Sequence, residues 1–310
     1  MATERRALTL SAVMSLVLGS VGLGLAVLTG SQVILLDGLF NLIYFAIALL
    51  TVRVAYLVSQ PDTEKYPFGF AYFESLVNAG KGLLILGVSL LALGDSVLVL
   101  FAGGREIVAS LAIFYAAFAT FTSTTTFLIL RRVRQGNSSP LVDADYENWF
   151  INTIISASVL LAFCLIPLAR WLGYDGIVPY VDPILVAFVV VVFCLGVPFR
   201  MASRAIKELL NRAPPRHIRG PVREAVDEAL AHLPSHHHLV RMVRPGRTLY
   251  LSVYVVMPED YPLEGLAELD RIRGDLDARV RQVYPQLVLD VVFTTQAYWA
   301  APTNGLAGRQ

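Results

Sequence analysis

Long apolar runs alternate with short polar breaks over the first two-thirds of the chain, and the pattern changes abruptly near residue 200. A helix that crosses about 30 Å of hydrocarbon needs roughly 20 apolar residues. By that measure six spans are predicted, at 7–29, 32–57, 75–101, 106–130, 148–171 and 177–199. The breaks at Gly30-Ser31, at 102–105 and around Gly173–Gly176 are short, whereas those at 60–74 and 131–147 are longer. Residues 200–212 carry Arg200, Arg204 and Lys207 on an amphipathic helical pattern that Pro214-Pro215 ends, as expected of a helix at a membrane surface. Beyond it the periodicity predicts a helix at 217–233, strands at 239–243 and 249–257, a helix at 266–284 and a strand at 288–294. An α-β-β-α-β order of this size implies a small α+β domain with its helices on one sheet face. The expected division is 1–199 for six transmembrane helices, 200–215 for an amphipathic linker, 216–298 for the α+β domain and 299–310 for a disordered tail.

Composition agrees with a multi-pass membrane protein: of 310 residues, 55% are hydrophobic and 16% charged. The net charge of +1 excludes nothing by itself, but no basic stripe interleaves with aromatics, so a nucleic-acid partner has no support. Basic residues gather on one side of the spans, among them Lys65, Arg131, Arg132, Arg134 and Arg200. The positive-inside rule then puts both termini and the longer joins in the cytoplasm; the expected location is the plasma (inner) membrane. Cys164 and Cys194 lie in separate apolar runs without CxxC spacing and read as core residues. No HExxH or other catalytic motif is present, so the chain reads as a non-enzyme without cofactor.

The chemistry-bearing residues are polar groups at membrane depth, which are expensive and face a bundle interior or an ion path. Asp37 and Asn41 are four apart in the second span, and Asn148 and Asn152 repeat the spacing in the fifth, so each pair shares a helix face. The bland reading makes them hydrogen-bonding glue between helices. Lys81, inside the third span, either pairs with Asp37 or reaches the interface. Asp145 sits at the mouth of the fifth span, and a Ser/Thr run at 122–126 either lines a path or bonds its own helix. The triplet His236-His237-His238 precedes the first strand and suggests either metal or a solvated loop.

Asp37-Gly38-Leu39-Phe40-Asn41, Pro67-Phe68-Gly69-Phe70 with Glu74-Ser75-Leu76, Ala144-Asp145 before Asn148 and Asn152, and Asp182-Pro183 occur in the order and spacing seen in cation diffusion facilitators. From about Ala7 to Thr295 the chain resembles that cation efflux family. The resemblance implies six transmembrane helices with a cytoplasmic metallochaperone-like domain, a homodimer, and efflux of a cation in exchange for protons. It also implies that Asp37, Asn41, Asn148 and Asn152 stand where the family holds its transported metal; Asp145, Lys81 and His238 are read separately as accessory groups. The chain departs from the family pattern in having one carboxylate and three amides at those four places. Zinc prefers His, Cys and carboxylate, so this degenerate set is unsuited to tight zinc binding. Amide oxygens suit hard cations such as Mg²⁺, Ca²⁺ or Mn²⁺, or a monovalent ion. The alternative is a transport-silent relative that acts as a structural or regulatory membrane dimer. At the loop and C-terminal positions where some relatives carry further ligands stand Tyr66, Phe70, Tyr254 and Thr294.

Overall fold

The computed structural model describes residues 2–135, 140–234, 237–263 and 265–299. Among the described residues, nine α-helices and three strands follow in the order α1 (Ala2–Thr29), α2 (Gln32–Val58), α3 (Tyr72–Phe101), α4 (Ala109–Arg134), α5 (Pro140–Trp171), α6 (Val178–Val189), α7 (Gly196–Leu209), α8 (Arg216–Leu230), β1 (His237–Val243), β2 (Leu249–Val256), α9 (Leu266–Val283) and β3 (Leu287–Thr294). Among the described residues, six helical stretches are long and apolar enough to cross a membrane. Leu91, Phe121 and Leu161 lie exposed along them, as side chains facing lipid do.

The chain forms two compact units. The first comprises residues up to Arg53 together with Val77–Ala202; the second comprises Val54–Leu76 and Ser203 onward. Unlike a division at residue 199, this grouping places the α2–α3 connection with the C-terminal part of the chain.

In the first unit the core is built from Leu18, Leu130, Phe163, Ile166, Val186 and Val190, all essentially without solvent exposure. Without a hydrophobic drive between helices in lipid, close approach depends on small residues. Gly22 and Gly38 meet where α1 crosses α2: a Cβ on Gly38 would lie 2.9 Å from the Leu23 nitrogen. Gly82 of α3 lies so close to α7 that a Cβ would stand 2.8 Å from the Ala202 nitrogen.

The sixth span is shorter than 177–199. After α6 the backbone passes into a π-helical turn, Val190–Cys194, and the next α-helix is already α7. Pro198 has no N–H to offer the carbonyl four residues back, so the ladder changes register there, with the Leu195 amide reaching Val190 O at 3.1 Å. The amphipathic helix expected from residue 200 therefore begins at Gly196. It ends at Leu209; Asn211 just beyond, with a positive φ of 56°, and the Arg212 N to Lys207 O bond form a left-handed C-cap.

Asp182 lies one turn inside α6 and is completely buried. Its carboxylate accepts from the Ser31 hydroxyl at 2.5 Å and from the Gln32 and Val33 amides at 3.0 and 3.4 Å, so it caps the N-terminus of α2 from another helix. Arg105 joins the same cluster through Gln32 at 2.5 Å and Asp95 at 2.7 Å.

In the second unit the sheet order is β1-β2-β3, with β1 and β2 antiparallel and β2 and β3 parallel. Leu249, Leu251, Val253 and Val255 alternate inward along β2 and pack with Val222 and Val226 of α8 and Ile272, Leu276 and Val280 of α9. Residues 54–76 are tied in by polar contacts. Glu74 receives the Arg247 backbone amide at 3.1 Å and its side chain at 2.6 Å. Ser75 donates to Glu208 at 2.8 Å and accepts from the Gly246 amide at 2.9 Å. The Tyr72 hydroxyl reaches Asn211 at 2.6 Å, and Tyr250 donates to Phe68 O. Burial raises the Tyr250 hydroxyl above the usual phenol range. Ala297–Trp299 form a short 3₁₀ turn; the tail from 300 onward lies outside the described residues.

Candidate cation site

The polar groups singled out in the spans do not all share one surface. Asp37, Asn148 and Asn152 line a single cavity of about 110 Å³ within the first unit, between α2, α4, α5 and the π turn. Its remaining wall is largely apolar and aromatic, with Phe40, Tyr44, Tyr115, Ile155 and Phe193 contributing. Asp37 reaches it because Gly38 lets α2 lie against α1, which fixes the rotation of the helix face that carries the carboxylate.

Asn41 is on the same helical stripe as Asp37 but is buried, and it is not among the residues that line the cavity. Its amide donates to the Asp37 backbone carbonyl at 2.9 Å, one turn back along its own helix. The i, i+4 spacing brought the two residues together; the side-chain rotamer then turned the amide along the backbone. Asn152 donates to the Ser123 hydroxyl of α4 at 3.1 Å, leaving its carbonyl oxygen for another partner. Asn148 is exposed and borders the same space.

The accessory groups fall elsewhere. Lys81 stacks over the Tyr44 ring, 4.8 Å from its centroid, a cation–π contact rather than an ion pair with Asp37. Asp145 neighbours Ser11 and Lys81. His238 pairs with Asp227 at 2.7 Å on the surface of the second unit. His236 lies outside the described residues. Among the described residues no three of His, Cys, Asp and Glu gather closely enough to hold a metal ion. The loop positions Tyr66 and Phe70 pack ring on ring, with centroids 4.9 Å apart. The Arg241 guanidinium covers the Tyr254 ring at 4.9 Å. In the Ser/Thr run of α4, Thr126 bonds the Thr122 carbonyl at 2.8 Å and Thr125 bonds that of Phe121 at 2.8 Å, while Ser123 turns toward Asn152.

Sequence reasoning missed Tyr115. It is 2% exposed, lines the cavity from α4, and its hydroxyl lies 2.5 Å from Asp37 Oδ2. The available signal was a lone phenol in an alanine-rich span, where a buried tyrosine hydroxyl must find a partner.

Six apolar spans, a small α+β unit and one carboxylate in a mostly apolar cavity belong to a class of multi-pass membrane transporters. Residues 8–210 match the cation efflux transmembrane domain family, well over half of the chain, and the protein belongs to that family of cation efflux transporters, the cation diffusion facilitators. Among curated proteins, the cation-efflux pump FieF of Serratia proteamaculans (strain 568) is 24% identical over 237 residues, which covers 76% of this chain and 75% of its relative.

Proposed function

We propose that the chain exports a hard or monovalent cation from the cytosol in exchange for protons, and that the cavity bounded by Asp37, Asn148 and Asn152 is its binding site. The observation that carries this reading is the donor set: a single carboxylate with two amides lines one cavity inside the spans. One formal negative charge leaves a desolvated divalent ion undercompensated. Such an ion therefore binds with retained waters, as Mg²⁺ does, or the cargo is monovalent. Tight zinc binding is disfavoured, because imidazole and thiolate are missing from the set. Proton exchange falls to Asp37, the one carboxylate lining the cavity among the described residues. The protein works as a homodimer in the plasma membrane with both termini cytoplasmic, a reading supported by the basic joins and the family resemblance.

Purified protein in liposomes, with a panel of divalent and alkali ions and a pH-sensitive dye inside, tests the proposal. The expected result is a cation flux coupled to proton movement that Asp37→Ala abolishes. A second reading, a family member without transport, is favoured by the lack of a three-ligand metal cluster among the described residues. No Asp37-dependent flux with any ion would establish it.

A further inference from the structure

We infer that Tyr115 is a specificity-determining positioning residue: its hydroxyl bonds one oxygen of Asp37 and so favours a cation that meets Asp37 through the other. The inference rests on the cavity being the cation path proposed above.

Tyr115 Oη lies 2.5 Å from Asp37 Oδ2 and 3.5 Å from the Leu18 carbonyl oxygen. A phenol has one proton to donate, and the shorter contact to the carboxylate takes it. The arrangement is built in from three helices. The ring comes from α4 and is 2% exposed, with Ala116 and Ala119 beside it in the cavity wall. The hydroxyl lies over Gly22 of α1, where a Cβ would stand 2.7 Å from it, so only glycine leaves it room. Gly22 in turn lies under Gly38 of α2, next to Asp37 itself. Of the other titratable groups on the neighbouring elements, Tyr44 and Cys194 line the same cavity as Asp37, whereas Lys81 and Asp145 do not. Lys81 of α3 covers the Tyr44 ring, Asp145 of α5 neighbours Ser11 and Lys81, and Cys194 occupies the π turn.

A hydrogen bond to an ionised carboxylate is stronger than one between neutral groups, so displacing it costs a cation binding energy. The phenol takes one lone-pair site of Oδ2, so Oδ1 is the oxygen open on both sides and bidentate capture has to share Oδ2 with the phenol proton. Calcium takes six to eight oxygens and gains from bidentate carboxylates, whereas magnesium takes a near-octahedral set with one oxygen per carboxylate and several waters. One oxygen from Asp37 and amide oxygens from Asn148 and Asn152, completed by water, is a magnesium-like set. Tyr115 therefore biases the site toward a small hydrated divalent ion and against calcium.

Tyr115→Phe keeps the ring and removes only the hydroxyl. In liposomes, KM for MgCl₂ and for CaCl₂ is measured on the unmodified protein, Asp37→Ala and Tyr115→Phe, and equilibrium binding of the same salts to detergent-solubilised protein is measured by calorimetry. The expected result is that Tyr115→Phe shifts the Mg²⁺-to-Ca²⁺ preference toward Ca²⁺ by at least ten-fold in both KM and binding constant. A merely structural defect would weaken both ions alike. Equal weakening, no change, or Asp37-dependent flux confined to monovalent ions overturns the assignment to Tyr115 and leaves the cation path standing. Absence of Asp37-dependent flux in the unmodified protein overturns the path itself.

Discussion

Asn41 and Asn152 have the same amide, but their surroundings give them different work. Asn41 is 3% exposed with its nitrogen on the Asp37 carbonyl, while Asn152 reaches across to Ser123 and borders the cavity. Replacing ligand types should therefore matter at two positions and not at the third. Asn148→His with Asn152→Asp adds an imidazole and a carboxylate to the wall that already holds Asp37, and the pair is expected to create zinc binding in the micromolar range or tighter. Adding Asn41→Asp should improve that affinity less than three-fold, because this side chain points along its own helix. Calorimetry with ZnCl₂ on the double and triple variants decides it; a much larger gain from Asn41→Asp would mean that its side chain turns into the cavity.

At the level of the helices, two contacts set where the site residues stand. The α1–α2 crossing has no room for a side chain at Gly38, so Gly38→Leu is expected to separate the helices, with an overpacking cost of about 3 kcal/mol. Thermal unfolding in detergent should show a clear loss of melting temperature, and Asp37-dependent flux should fall with it. An unchanged melting temperature would argue that the two helices are not held this closely. The other contact is the cap that Asp182 places on α2. Asp182→Ala leaves the Ser31 hydroxyl and two backbone amides without their acceptor, while Arg105 keeps Asp95, a loss of about 3 kcal/mol. Asp182→Asn keeps the shape and one acceptor oxygen and should lose about half as much. Equal melting temperatures for the two variants would show that the capping geometry contributes little.

For the molecule as a whole, the second unit is a small sheet under two helices, with a core that is modest for an independent domain. The homodimer proposed above, joined through this unit, would relieve that weakness. Cysteines introduced singly at several exposed positions of α8, α9 and β1, in a chain whose Cys164 and Cys194 are replaced, should form cross-linked dimers in native membranes at some of them. Monomers at every position would sink this expectation. Within the same unit Glu74 binds Arg247 by both side chain and backbone. Glu74→Ala and Arg247→Ala are each expected to speed proteolysis of residues 60–70, and the double variant should be no worse than either alone. Additive effects would show that the pair is not acting as one contact.

The number of spans, the α-β-β-α-β order and the change in character near residue 200 could be read from the chain alone. Each follows from a local period: twenty-residue apolar runs, strand alternation, or an amphipathic stripe. Membership in the cation efflux family was legible for the same reason, since short motifs kept their order around those spans. The i, i+4 pairs could likewise be seen as shared faces. Which side chains of a face enter the cavity could not, because that depends on rotamers and on what the neighbouring helix offers. Asn41 thus bonds its own backbone, Asn152 bonds Ser123, and Lys81 covers Tyr44 rather than Asp37. The end of the sixth span moved from residue 199 to Cys194 because hydropathy continues through Pro198, whereas the helical hydrogen-bond ladder does not. Tyr115 and Asp182 were decided by tertiary structure for the most elementary reason. Their partners, Asp37 and the Ser31–Val33 segment, are 78 and about 150 residues away along the chain, and no local period records a contact across that distance.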